Sequence, residues 1–255
     1  MPPASRYLPA LLTSAVIAVN AAANILPING YATGELSDLN PTGFTPAGWV
    51  FSIWGLIYLG LIVFSLFMMF APPARTQRAL RILPAYAVSS AANIGWIFAW
   101  HFRAVTLSFA IMLVLLAALT VIYRHLRRDR AAGWMEFALV DAPFRIYLGW
   151  VTTATIVNLA TVFYASGFYP FGLTLDQWAI VSVAAAMAIY VWVGTATRDG
   201  LYCLVFVWAS LGIYLKPHDI SEPVRLTAIT GAVLVGVRAV TAFAVAYRSR
   251  GRHSA

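Results

Sequence analysis

The segment WMEFALVDAPFRIYLGWVTTATIVNLATVFY, residues 134–164, decides the fold. It is apolar almost throughout. At about 1.5 Å of rise per residue it can cross a hydrocarbon core of about 30 Å. Its polar residues are few and helically phased. Tyr147, Trp150, Ala154, Asn158 and Thr161 share one face, and Asp141 and Arg145 lie one turn apart. A carboxylate, a guanidinium and an amide inside such a run face protein rather than lipid. The segment therefore reads as one transmembrane helix of a bundle, not as a lone anchor.

The same pattern repeats on either side. Apolar segments also occupy about 8–27, 47–71, 82–101, 104–123, 177–197, 201–215 and 224–247, which makes eight spans. The 255 residues are 61% hydrophobic and 10% charged. A soluble domain is about 45–50% apolar and about 25% charged, so soluble, disordered and collagen-like chains are excluded. The apolar runs are continuous rather than alternating, which excludes a β-barrel. The expected fold class is all-α, a polytopic transmembrane helix bundle of about eight spans in contact with membrane lipid.

Charge tests the count. With the N-terminus inside, the cytoplasmic segments hold Arg6, Arg75, Arg78, Arg81, Arg124, Arg127, Arg128, Arg130, Arg198, Arg248, Arg250 and Arg252. The opposite side holds Arg103, Lys216 and Arg225, and Arg145 and Arg238 lie inside spans. Twelve against three, with strict alternation, supports eight spans with both termini cytoplasmic. The net charge of +8 is thus a topology signal and implies no nucleic-acid partner. The lone Cys203 permits no intrachain disulfide or thiolate metal site, and His101, His125, His218 and His253 show no metal-ligand spacing. No Ser/His/Asp set, nucleotide loop or paired carboxylate is visible, so no catalytic residue, metal or cofactor is assigned.

Helical spacing groups the polar and aromatic residues of the other spans. Thr13, Asn20 and Asn24 line one face of the first helix, and Ser89, Asn93, Trp96 and Trp100 one face of the third. Trp54 and Tyr58 are one turn apart on the second. Each stripe alone is ordinary interhelical glue. Several converging in the first five helices suit a cavity for a flat, apolar ligand with a polar edge. Two longer external loops, about Pro27 to Pro46 and Gly167 to Asp176, are either plain connectors or lids. By rise along the helices, Asp141 lies about 10 Å deep, Arg145 about 16 Å and Arg238 about 15 Å. The three form an expected buried-charge network that joins the fifth helix to the eighth.

These motifs resemble the TspO/MBR family, the tryptophan-rich sensory and translocator proteins. Tyr147-Leu148-Gly149-Trp150, Ala154-Thr155 and Asn158 are similar to the family's Y-L-x-W-x-x-x-A-T-x-x-N. Pro46, Trp54 and Tyr58 resemble its P-x7-W-x3-Y, and Asn93 and Trp96 its N-x-x-W. The likeness covers about residues 8–165. It implies a TspO-like five-helix core, residues 1–165, followed by three additional transmembrane helices and a basic cytoplasmic tail, residues 166–255. It also implies a pocket for a tetrapyrrole such as protoporphyrin, with Trp54, Tyr58, Asn93, Trp96, Trp150, Ala154 and Asn158 as ligand-binding residues, and a homodimer. The sequence departs from the family at Thr45-Pro46, which stands where a double proline is usual, at Pro143, and in a first loop without tryptophan.

The expected function is binding, sensing or translocation of that ligand in a bacterial cytoplasmic (inner) membrane. The alternative is a secondary transporter of an amphipathic anion, for which the surplus arginine of the buried network would receive a carboxylate; no inverted repeat supports it. Enzymatic porphyrin breakdown in light beside Trp150 is left open by the resemblance, as is a scaffold that binds no ligand.

Overall fold

In the computed structural model, residues 4–26, 28–216, 218 and 220–251 are described, with side chains up to residue 246. Arg252 and His253, and the side chains of Arg248 and Arg250, lie outside that description. The chain is all-α: among the described residues eight apolar helices follow one another and no strand occurs. They are α1 (Ala4–Ile25), α2 (Ile53–Phe70), α3 (Leu83–His101), α4 (Val105–Arg128), α5 (Trp134–Ser166), α6 (Leu175–Thr197), α7 (Gly200–Tyr214) and α8 (Glu222–Gly251). Six of the eight are long and apolar enough to cross a membrane unaided. α3 passes that test together with the short helix Pro73–Leu80, from which it is bent by 58°, and α7 is shorter. The order matches the eight segments read from the sequence.

The chain divides into two compact units. Met1–Leu39 and Phe51–Asn158 form the first, and Asn40–Val50 and Leu159–Ala255 form the second. The division falls within α5 at residue 158 and assigns part of the first loop to the C-terminal helices, whereas the sequence suggests a cut at residue 165.

In the first unit α1 packs on α2 and α3, and α3 packs on α4. The start of α5 is irregular. Residues Phe137–Asp141 form a π-turn, and Pro143 follows. Proline has no N–H, and its ring crowds the carbonyl four residues earlier; the wider turn absorbs both defects. Gly60 on α2 accommodates that proline, since a Cβ there would lie 2.9 Å from Pro143 Cβ. Further along, Phe64, Tyr86 and Phe144 meet edge to face, with centroids 5.0 to 5.6 Å apart.

In the second unit α7 and α6 both pack along α8. Thr174 caps α6 through a capping box with Gln177. Arg198, in the left-handed region at φ 52°, ends it. Asp199 then caps α7 by accepting the Tyr202 N–H at 3.2 Å, so two residues turn one helix into the next. Segment 40–50 is fastened to α7: the Ala47 N–H donates to the Gly212 carbonyl at 3.1 Å, and Trp208 Nε1 donates to the Val50 carbonyl at 3.0 Å. Trp49 meets Trp208 edge to face at 4.7 Å. This strap needs glycine at 212, where a Cβ would lie 2.0 Å from Val50 Cγ2.

Gly212→Ala is therefore expected to lower stability by about 1–3 kcal/mol despite alanine's better helix propensity. Gly55→Ala, whose Cβ meets nothing within 4 Å, is expected to be neutral or stabilising. Unfolding of the purified variants in detergent checks both.

Candidate functional site: stacked polar and aromatic tiers in the first unit

The polar stripes of α1, α3 and α5 meet in tiers. At the end where α3 begins, Thr13 bonds Tyr86 at 2.6 Å and Ser65 at 2.7 Å. Two turns along, Asn20 Nδ2 donates to Asn93 Oδ1 at 2.7 Å, and Asn93 Nδ2 donates to the Tyr147 hydroxyl at 2.9 Å. Tyr147 and Asn93 are fully enclosed. A buried amide left without partners costs about 1–3 kcal/mol, so this chain fixes the register of three helices at once.

The next tier is aromatic. Trp54 lies within 6.2 Å, centroid to centroid, of Tyr58, Trp96, Tyr147 and Trp150. Tyr58 and Trp96 stack on it, while Tyr147 and Trp150 present edges. Trp96, Tyr147 and Trp150 are buried, and Trp54 and Tyr58 are the half-exposed members. Phe51, not singled out in the sequence, meets Trp150 edge to face at 5.9 Å. Trp96 Nε1 donates to Asn158 Oδ1 at 3.3 Å, and that oxygen also accepts from Ser108 on α4 at 2.7 Å. Asn158 Nδ2 donates to the Ala154 carbonyl at 3.0 Å. The side chains of six of the seven candidate ligand-binding residues thus share one continuous network, and Ala154 joins it through its backbone carbonyl.

One polar atom here differs. Trp150 Nε1 is buried and has no hydrogen-bond partner among the described residues, whereas the indole N–H groups of Trp96 and Trp100 are both used.

Above the cage the first loop is tied down. Trp100, stacked on Trp96 at 6.0 Å, donates to the Thr33 carbonyl at 3.3 Å. His101 is fully buried, with Nδ1 3.0 Å from the Ile28 carbonyl and Nε2 3.1 Å from Thr33 Oγ1. A carbonyl only accepts, so Nδ1 carries the proton, and in the neutral ring Nε2 accepts from Thr33. Asn29 Nδ2 donates to the His101 carbonyl at 2.9 Å, and Asn24 Oδ1 accepts the Thr33 N–H at 3.2 Å. Among the four histidines the sequence offers no sign of this role.

At the opposite end is the ionic cluster. Arg78 donates to both carboxylate oxygens of Asp141, to Glu136 at 2.6 Å and to the carbonyls of Leu126 and Asp129. Asp141 Oδ1 also lies 3.8 Å from Arg145, whose guanidinium covers the Phe137 ring at 4.9 Å. Asp141 and Arg145 lie together, and Asp141 pairs with Arg78, which also holds Glu136. Arg238, expected in this network, belongs to the second unit and bonds the Thr195 carbonyl at 3.3 Å. Arg78 reads as a topology charge in the sequence because it stands between Arg75 and Arg81. Its burial becomes visible only when the helix Pro73–Leu80 turns it beneath α5.

A family model described as TSPO-like protein matches residues 6–241. The chain belongs to the TspO/MBR family. The match to the TSPO-like model runs through α6, α7 and most of α8, so these helices lie within the family's own extent. Membership and the apolar helices establish an integral membrane protein and point to ligand binding or sensing in the membrane. No curated protein and no solved structure was found to match the chain.

Replacing Arg78 by Gln would strand two carboxylates in a buried setting, and a loss of about 3–5 kcal/mol is expected. Arg75→Gln, at an exposed position, should stay within about 0.5 kcal/mol. Thermal unfolding of the two variants side by side reads the difference.

Proposed function

We propose that the first unit binds a flat hydrophobic ligand of the tetrapyrrole class, with protoporphyrin as the probe, through Trp54, Tyr58, Asn93, Trp96, Trp150, Ala154 and Asn158. The unpartnered Nε1 of Trp150 carries the proposal. A buried N–H without an acceptor costs about 1–3 kcal/mol, and a carbonyl or carboxylate of a bound ligand would recover it. Four neighbouring rings around Trp54 supply stacking and edge contacts for a flat π-system. The half-exposed Trp54 and Tyr58 offer the side of approach. The reading takes the protein to be a homodimer of a bacterial inner membrane, with both termini cytoplasmic.

Transport of an amphipathic anion is the second reading, and the interruption of α5 at its π-turn and Pro143 favours it. Uptake of protoporphyrin into proteoliposomes would add transport to binding.

Titration of the detergent-purified protein with protoporphyrin, followed by tryptophan fluorescence, is expected to give saturable quenching. Trp150→Phe keeps the ring edge and removes the N–H. It is expected to weaken binding by about five- to tenfold, the worth of one buried hydrogen bond. Non-saturating quenching, equal in both proteins, would show partitioning into detergent and remove the proposal.

A further inference from the structure

Arg238 is a charge in an apolar helix with no ion pair among the described residues. Its one hydrogen bond among them runs from Nη2 to the Thr195 carbonyl. Its Nε is buried and has no acceptor. The nearby carboxylate of Asp199 is engaged in capping α7. A guanidinium set among apolar side chains near a helix end is received by water or by an anion at that level.

The surroundings identify the anion. The stem passes Gly194, where a Cβ would lie 3.4 Å from Arg238 Cγ, an ordinary contact, and 2.5 Å from Cys203 Sγ. The side chain is half-buried, and its neighbours along α8, Leu234, Val237 and Val240, are exposed and apolar. Trp192 on α6 is 71% exposed. Such a surface faces lipid. Thr195 is two residues from the end of α6, so the guanidinium lies about 3 Å of helix rise from that end. This is the level of the headgroup–acyl boundary, where indoles such as Trp192 collect. The exposed Arg198 follows at the helix end. Arg6 repeats the arrangement in the first unit, with Nη2 on the Ala71 carbonyl at 2.7 Å and Nε without a partner.

We propose that Arg238, held on the Thr195 carbonyl at the end of α6, forms a binding site for the phosphate oxygens of an anionic phospholipid. The planar fork presents Nη1 and one Nη2 N–H to two oxyanion atoms while the other Nη2 N–H stays on the Thr195 carbonyl. The acyl chains lie over the exposed apolar side chains of α6 and α8. The lipid neutralises the arginine and joins these two helices at one edge. The site is independent of the ligand proposed for the first unit.

Native mass spectrometry of the detergent-purified full chain, titrated with phosphatidylglycerol, phosphatidylcholine or inorganic phosphate, tests this. The wild type is expected to retain phosphatidylglycerol in preference to phosphatidylcholine, with no competition from millimolar phosphate. Arg238→Gln is expected to weaken phosphatidylglycerol binding about five- to tenfold. Arg238→Lys keeps the charge and the stem over Gly194, so it tests the fork even if the Gln variant does not fold; a weakening of about two- to fivefold is expected. Unchanged affinity in the variants would overturn the site. Displacement of the lipid by inorganic phosphate would assign it to free phosphate and overturn the lipid as occupant.

Discussion

Asn93 accepts from Asn20 and donates to Tyr147, and the first unit depends on that pair of hydrogen bonds. In an apolar medium an amide finds a partner within the protein or destabilises it. Helices α1, α3 and α5 can therefore slide or rotate only at the cost of breaking a buried bond. Once their register is set, the rest follows by helical spacing. Tyr86 meets Thr13 two turns toward one end, Trp96 stacks on Trp54 one turn toward the other, and Trp100 reaches Thr33 beyond it. The ionic cluster around Arg78 closes one end of the stack, and the His101-tied loop closes the other.

Within that frame the proposed ligand site turns on a difference between otherwise similar groups. Trp96, Trp100 and Trp150 are all buried indoles of one cluster, yet among the described residues only two of them find acceptors. The carbonyl of Thr33 serves Trp100 and the amide of Asn158 serves Trp96. The aromatic surroundings give the N–H of Trp150 none. Stacked rings supply area and shape, and this donor supplies a direction.

The sequence reveals most of the fold, because a span announces itself through continuous apolar residues and the loops through their arginines. The stripes that meet are legible as well, since Asn20, Asn93, Tyr147 and Asn158 stand out in apolar runs and their helical phase tells which face is inward. What is not legible comes from contacts between segments distant in the chain. Arg78 looks like Arg75 and Arg81 until a short helix turns it beneath Asp141. His101 looks like any residue at a span end until the first loop folds back on both ring nitrogens. Arg238 has the sequence signature of a buried partner, and its depth along the chain suggests one. Its neighbour is the end of α6, which counting residues along α8 does not reveal.

The most direct measurement of the central claim is the indole N–H spectrum of the protein labelled with 15N-tryptophan, recorded before and after addition of protoporphyrin. The Trp150 resonance, assigned by Trp150→Phe, should lack the hydrogen-bonded shift shown by Trp96 and Trp100 in the free protein. It should then move to that range on binding, while Trp100 stays in place. A Trp150 signal already hydrogen-bonded in the free protein, or unmoved by saturating ligand, would contradict the claim.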